Sequence, residues 1–166
     1  GKDKSDLDDA KPAALIELDT YYIDEFEVTN ALYKVCVHAG TCRQPKQGGS
    51  VTHSSYFSDP RYENNPVLYV DWKMARAYCE WRGARLPTEA EWEKAARGTD
   101  GRSYPWGETR DCNYANYHGC VGDTTPVDMH EDGKSVYGVY DMAGNVWEWV
   151  NSLYARYAYD PGDGRE

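Results

Sequence analysis

The segment DMAGNVWE, residues 141–148, carries the side chains best suited to binding a cation. Asp141 and Glu148 stand seven positions apart and supply charged oxygens. Ca²⁺ takes roughly six to eight oxygen ligands from carboxylates, carbonyls and water, and Asp prefers Ca²⁺ or Mg²⁺ to softer metals. A flexible turn would aim the carbonyl groups of Gly144 and Val146 at the same point. The alternative is a turn in which Asp141 caps backbone amides and Glu148 faces solvent.

Other residues that suggest catalysis have simpler interpretations. The acids of RLPTEAEWE, residues 85–93, look like a paired-carboxylate catalyst, yet Thr88 followed by Glu91 is a capping box and explains them as helix-start residues. The histidines are scattered, without metal-type spacing such as HxxxH, at His38, His53, His118 and His130. No nucleophile elbow, phosphate loop or glycine-rich dinucleotide motif occurs. We therefore assign no catalytic residue.

The cysteines form two local pairs and leave one residue over. Cys36 and Cys42 flank VHAGT, and Cys112 and Cys120 flank NYANYHG. Neither pair has the separation of roughly two to four residues usual for zinc, so two disulfides are the favoured interpretation, with Cys79 left over. Disulfides favour an oxidising, extracytoplasmic compartment. The alternative is five reduced cysteines in a cytosolic protein.

Composition excludes several functional classes. A net charge of −10 over 166 residues disfavours binding to nucleic acid or to anionic membranes. The same charge is compatible with bound cations, although an acidic surface alone also explains it. No run of about 18 apolar residues is available to span a membrane. The length suits one domain. A start at Gly1 without a visible signal peptide fits a mature or trimmed product.

Three segments, residues 30–39, 71–83 and 88–98, are predicted to be short helices. Their N-cap residues would be Thr29, Asp71 and Thr88. Glycines lie at or just beyond their C-terminal ends, at Gly40, Gly83 and Gly98. The apolar positions predicted to share a face are Leu32, Val35 and Cys36 in the first helix and Met74, Tyr78 and Trp81 in the second.

The remaining sequence predicts few regular strands and much loop. Residues 14–28 alternate loosely and favour strands, and short strands are expected near 125–127 and 147–150. Residues 1–14 are polar and predict a tail or linker. The fold class is therefore α+β, with short helices and abundant ordered loop. Such a domain needs disulfides, buried aromatics or metal ions to hold it together.

The tryptophans have two interpretations. They could line a ligand groove, but large aromatic residues are more often core residues, and we predict that they belong to the core. They are Trp72, Trp81, Trp92, Trp106, Trp147 and Trp149.

Several motifs together carry a family resemblance. They are EVTNALY (27–33), PVLYVDWKMARAYCEWRGARLPTEAEWEKAARG (66–98), YPWGE (104–108), NYAN (113–116), TTPVD (124–128) and YGVYDMAGNVWEW (137–149). With them the chain resembles the formylglycine-generating enzyme, or sulfatase-modifying-factor, family over about Leu15 to Tyr154. The resemblance implies a variant of the C-type-lectin fold for residues 15–166, with low regular secondary structure and bound calcium. Active members oxidise a sulfatase cysteine to formylglycine, using oxygen and copper held by two cysteines, whereas many relatives bind rather than catalyse.

The resemblance also implies calcium ligands. One family site corresponds here to Asp141, Gly144, Val146 and Glu148, with Asn also common at the first of these positions. A second family site would use Asn116, the Tyr117 carbonyl and a downstream acid, for which Asp123 is available. The spacing between Asp123 and the following TTPV segment is shorter here than in the fullest family pattern. A Cys112–Cys120 disulfide is an alternative means of stabilising that loop.

One departure from the family pattern decides the functional expectation. The family's reactive cysteines follow an RGGSW-type motif downstream of GNVWEW, which this sequence, ending at Glu166, does not contain. The resemblance thus implies a domain without its C-terminal strands and without the catalytic cysteine pair. We expect a calcium-stabilised binding or structural module that presents loops to a protein or glycan partner. The alternative is the N-terminal portion of a copper-dependent formylglycine-generating oxidase, which leaves open whether the protein is an enzyme.

Overall fold

A computed structural model describes residues 15–156, 158–160 and 162–166. Within these residues the chain forms α1 (Asn30–His38), α2 (Trp72–Trp81), α3 (Glu89–Arg97) and two short 3₁₀ helices, Pro60–Tyr62 and Glu131–Gly133. Loops and turns connect them. No helix in this part of the chain is long and apolar enough to cross a membrane. The predicted tail over residues 1–14 lies outside the described residues.

All three helices begin at their predicted caps. The Thr29 hydroxyl accepts a hydrogen bond from the Leu32 amide at 3.2 Å, and Asp71 Oδ1 accepts one from the Met74 amide at 2.9 Å. At α3 the Thr88 hydroxyl accepts from the Glu91 amide at 3.2 Å. The Glu91 carboxylate accepts from the Thr88 amide in return, at 2.8 Å. The predicted capping box is therefore complete.

Helix α1 buries Cys36 as predicted, but Tyr33 takes the place in the core that was predicted for Leu32 and Val35. Leu32 and Val35 are 50% and 54% exposed, whereas Tyr33 and Cys36 are buried. The Tyr33 ring stacks on Tyr78 of α2 with centroids 5.6 Å apart. A buried aromatic pair removes more apolar surface from water than one leucine does, so this pair sets the rotation of the helix.

The predicted strands are absent from the described residues, where only isolated bridges join Thr29 to Pro66 and Tyr104 to Gly107. Backbone groups in these segments bond to irregular partners instead. The Val67 amide donates to the Val28 carbonyl at 2.9 Å, and the Thr125 amide donates to the Asn145 side chain at 2.9 Å. The strand predictions near 14–28, 125–127 and 147–150 are therefore wrong for the described residues, whereas the predictions of short helices and abundant loop are confirmed.

Among the described residues the buried hydrophobic side chains form two small clusters. The first joins α1 to α2 through Tyr33, Cys36, Cys42, Val67, Met74 and Tyr78. The second packs Ala95 and Ala96 of α3 against Val139 and Met142, with Trp92 beside them. Met142 directly follows Asp141, so the second cluster fixes the start of the predicted cation loop to α3.

Both predicted disulfides form, Cys36–Cys42 and Cys112–Cys120. Cys79 is a half-buried free thiol on α2. Burial, reinforced by the charge of Asp24, raises the pKa of Cys79. Because the thiolate is the reactive form, this cysteine is poorly suited to act as a nucleophile or metal ligand at neutral pH.

None of the six tryptophans is a core residue, which corrects the prediction. Trp147 is fully exposed, Trp81 and Trp149 are also exposed, and the others are half-buried. Four of the indole N–H groups donate hydrogen bonds, those of Trp72, Trp92, Trp106 and Trp149. An indole held by its polar edge stays near the surface instead of entering an apolar cluster.

Candidate cation site

The loop that follows Tyr140 contains two strained backbone positions. Asp141 has φ +54° and Asn145 has φ +60°, both in the left-handed region. Asp and Asn tolerate this region better than other non-glycine residues, yet such positions are uncommon. Strain of this kind persists only where surrounding contacts enforce it, and it is concentrated at functional sites. The loop therefore holds a defined conformation at some energetic cost.

The Asp141 carboxylate is buried without a partner. The residue is 5% exposed, and neither carboxylate oxygen has a hydrogen-bond partner among the described residues. Burial raises the pKa of Asp141 to about 6, a rise that His130 opposes and Asp128 reinforces. Buried polar groups are almost always hydrogen-bonded, so this exception requires a physical explanation. A cation beside the carboxylate would supply one, because it stabilises the ionised form.

Glu148, at the other end of the loop, lies near the same point. The residue as a whole is exposed, but many protein atoms surround its carboxyl group and raise its pKa to about 7, with Asp141 contributing to the rise. Trp92 on α3 donates its indole N–H to Glu148 Oε2 at 2.5 Å. This bond holds one carboxylate oxygen and leaves the other without a hydrogen-bond donor among the described residues.

Glu27 is a third carboxyl group at this place, and sequence analysis did not identify it. Its Oε2 accepts a hydrogen bond from Asn145 Nδ2 at 2.7 Å, and its Oε1 accepts one from the Val146 amide at 3.3 Å. Burial raises the pKa of Glu27 to about 9, with further contributions from Asp141 and Glu148. The one sequence feature that could have indicated Glu27 is its position between two apolar residues, Phe26 and Val28, directly before the Thr29 cap.

The donor set suits a hard cation. Its side chains are carboxylates, and the predicted carbonyl ligands Gly144 and Val146 lie between Asp141 and Glu148 in the chain. No three His, Cys, Asp or Glu side chains in the described part of the chain could by themselves hold a metal ion. A bound cation would therefore depend on carbonyl oxygens and water as well, a mixture that Ca²⁺ accepts.

The residues predicted for a second cation site are bonded to protein donors. Asp123 Oδ2 accepts hydrogen bonds from the Ser50 hydroxyl at 2.6 Å and from the Thr52 amide at 2.9 Å. Burial would raise the pKa of Asp123, but the hydrogen bonds outweigh burial and lower it to about 2. Asn116 Oδ1 accepts from the Val121 amide at 3.3 Å, and the Tyr117 carbonyl accepts from the Cys120 amide at 3.0 Å. Each of these oxygens therefore already has a protein donor.

The two predicted loops touch each other. The Asn145 amide donates to the Asn116 carbonyl at 2.6 Å. A Cβ atom added to Gly144 would lie 2.7 Å from the same carbonyl oxygen, so only glycine permits this approach. The structure thus brings the residues of both predicted sites into one network of loops.

A surface cavity of about 960 Å³ adjoins the network. Its lining includes residues 141–150 together with Tyr69, Trp92 and Tyr117. The exposed rings of Trp147 and Trp149 border it. Exposed apolar surface of this kind is typical of a contact site for a partner.

Comparison with protein families matches residues 1–165 to the sulfatase-modifying factor enzyme 1-like domain. Inactive C-alpha-formylglycine-generating enzyme 2 from Bos taurus is 47% identical over 102 residues, which cover 54% of this chain and 33% of that protein. Formylglycine-generating enzyme from Mus musculus is 31% identical over 199 residues, covering 89% of this chain and 53% of that protein. Hercynine oxygenase from Mycolicibacterium smegmatis is 31% identical over 172 residues, covering 88% of this chain and 40% of that protein. The matched region is thus about a third to a half of each relative.

Proposed function

Because the chain belongs to the sulfatase-modifying factor enzyme 1-like family, we propose that it is a calcium-stabilised binding or structural module. We further propose that it has a variant of the C-type-lectin fold and works in an extracytoplasmic compartment. The observation that carries the proposal is the Asp141 carboxylate, which is buried, ionisable near neutral pH and without a hydrogen-bond partner among the described residues.

One calcium ion is proposed, bound by the carboxylates of Asp141 and Glu148 and the carbonyl groups of Gly144 and Val146. The positive charge would offset the burial of both carboxylates, which is the main cause of their raised pKa values, and the repulsion that Asp141 exerts on Glu148. The second site, at Asn116, Tyr117 and Asp123, stays a prediction. The Cys112–Cys120 disulfide already closes that loop without an ion.

A non-catalytic role is supported by the state of the cysteines. The oxidation expected of active family members needs copper held by two cysteine thiolates. Four of the five cysteines here are in disulfides, and the fifth, Cys79, is half-buried with a raised pKa. These residues therefore offer no pair of thiolates to a copper ion. The disulfides also support an oxidising compartment.

The proposed partner surface is the cavity beside the cation loop. Trp147, Trp149 and Tyr69 line it and are exposed. Exposed tryptophan and tyrosine are typical of binding surfaces, because each offers a large apolar face and a polar edge. A protein or a glycan would suit such a surface, and the net charge of −10 disfavours nucleic acid.

The second candidate function is that of the N-terminal portion of a formylglycine-generating oxidase. It is favoured by the similarity to mouse formylglycine-generating enzyme over 89% of this chain. Under this proposal copper ligands would come from residues other than the five cysteines described here.

Thermal unfolding in calcium and in chelator tests the main proposal. A ligand at about 100 times its Kd adds about 2.7 kcal/mol, and at about 2–4 °C per kcal/mol for this chain length the Tm should rise by about 5–10 °C. Identical melting curves in CaCl₂ and EDTA would exclude a calcium-stabilised module. Incubating the protein with copper, oxygen and a cysteine-containing sulfatase peptide tests the second candidate, and formylglycine detected by mass spectrometry would contradict a non-catalytic role.

A further inference from the structure

We propose that Glu27 is a positioning residue for the cation loop, which sets the affinity of the loop for calcium without binding the ion. The inference rests on the proposed calcium function. Glu27 lies in the segment before α1, 118 positions from Asn145, so this contact joins two distant parts of the chain. Neither the motif over 27–33 nor the spacing of the predicted ligands assigns it this role.

The hydrogen bonds of Glu27 fall between the two predicted carbonyl ligands. Its Oε2 holds the Asn145 side chain at 2.7 Å, and its Oε1 holds the Val146 amide at 3.3 Å. A trans peptide group is planar, so fixing an N–H also fixes the direction of the carbonyl in the same plane. Glu27 therefore orients the peptide that links Asn145 to Val146, next to the carbonyl proposed as a ligand.

The neighbouring peptide, which links Gly144 to Asn145, is fixed by a different contact. The Asn145 amide donates to the Asn116 carbonyl at 2.6 Å, which sets the direction of the Gly144 carbonyl. The Asn145 side chain also accepts from the Thr125 amide at 2.9 Å and donates to the Thr125 carbonyl at 3.1 Å. These contacts enforce φ +60° at Asn145. The two hydrogen bonds of Glu27 hold both the Asn145 side chain and the Val146 amide, so Glu27 couples that side chain to the next peptide group.

Residues that orient metal ligands without touching the metal typically contribute about 10–100-fold in metal affinity. We expect Glu27→Gln to weaken calcium binding by about that factor, because the amide turns an N–H toward one of the two donors. Titration calorimetry with CaCl₂ measures the affinity, and the Tm in EDTA measures the stability of the cation-free fold.

Glu91→Gln is the matched control. Glu91 is also a buried glutamate that accepts hydrogen bonds from a side chain and a backbone amide, those of Arg85 and Thr88. It lies in the α3 capping box and should lower the Tm in EDTA while leaving calcium affinity within about twofold. A residue that only stabilises the fold would behave like this control, whereas a positioning residue changes the affinity as well.

Glu27→Asp provides a second variant if glutamine at this position prevents folding. It keeps the carboxyl group but shortens the side chain by one methylene, so the contacts to Asn145 and Val146 lengthen and the affinity should again fall. If the wild type binds calcium and a folded Glu27 variant binds it equally well, the positioning role is wrong and the calcium site stands. If the wild type itself binds no calcium, the proposed function fails and the inference fails with it.

Discussion

Replacing Asp141 by asparagine should stabilise the cation-free protein at neutral pH, although the residue is buried and belongs to the candidate site. Asparagine has the same shape but carries no charge, so the substitution isolates the energetic cost of the carboxylate. The left-handed φ of +54° suits asparagine as well as aspartate. The variant therefore changes the electrostatics of the loop and leaves its backbone requirements satisfied.

The magnitude follows from the shifted pKa. Burial raises the pKa of Asp141 from 3.8 to about 6, a shift of about two units, and each unit corresponds to about 1.4 kcal/mol. The folded state binds the proton more tightly than the unfolded state, so stability falls as pH rises between about 4 and 6. Above that window the ionised carboxylate costs the folded protein up to about 3 kcal/mol. For a chain of this length, removing the cost should raise the Tm by up to about 6–12 °C.

The assay is thermal unfolding of wild type and Asp141→Asn in EDTA at several pH values from 4 to 8. The variant should melt higher at pH 7.5, and the difference should disappear near pH 4, where the wild-type carboxyl is protonated. Adding CaCl₂ should shrink or reverse the difference, because the ion stabilises the carboxylate. Asp19→Asn, at an exposed position, is the control and should leave the Tm unchanged both at pH 4 and at pH 7.5. A variant that is less stable by the same amount at pH 4 and pH 7.5 would refute the reasoning.

Two further predictions concern the packing of the loops. The free energy of unfolding of Gly144→Ala in urea should be about 1–3 kcal/mol lower than that of wild type, because the new Cβ would lie 2.7 Å from the Asn116 carbonyl oxygen. Gly48→Ala is the control, because no other atom would lie within 4 Å of its Cβ. Equal unfolding midpoints for the two variants would contradict the close approach. Replacing both Cys112 and Cys120 by serine should lower the free energy of unfolding by about 2.5 kcal/mol, the loop-closure value for a disulfide between residues eight positions apart. Cys79→Ser, which removes a free thiol, is the control. A double variant as stable as wild type would show that the disulfide does not stabilise the protein.

The features that sequence analysis identified correctly are local. The capping box of α3 needs only Thr88 and Glu91, three positions apart, and both of its hydrogen bonds form. The Cys112–Cys120 disulfide joins residues eight positions apart. Such features depend on short stretches of chain whose geometry is nearly the same in any fold, so their residue types and spacing were enough to predict them.

The features that it missed depend on distant partners. Leu32 and Val35 fit a helical apolar face as well as Tyr33 does, and only the ring of Tyr78 on α2 decides which face is buried. Glu27 contacts a residue 118 positions away, so no local pattern indicates its role. The predicted strands failed for the same reason, because alternation identifies a segment with two distinct sides but does not supply a neighbouring strand to pair with it.

The loop from Asp141 to Glu148 combines several unfavourable features, and a bound cation would offset the electrostatic ones. Asp141 and Asn145 have left-handed backbones, and the Asp141 carboxylate is buried without a partner among the described residues. Asp141 raises the pKa of both Glu27 and Glu148, and Glu148 raises that of Glu27 further. Protonation of the carboxyl groups alone removes only part of this electrostatic cost. At pH 7.5 a group with a pKa of about 9 keeps its proton, whereas Asp141, with a pKa of about 6, has lost its own. Protonation of Glu27 therefore leaves a buried negative charge at Asp141. A divalent cation held by carboxylate and carbonyl oxygens would neutralise that charge, which is why we favour calcium over protonation as the partner of this loop.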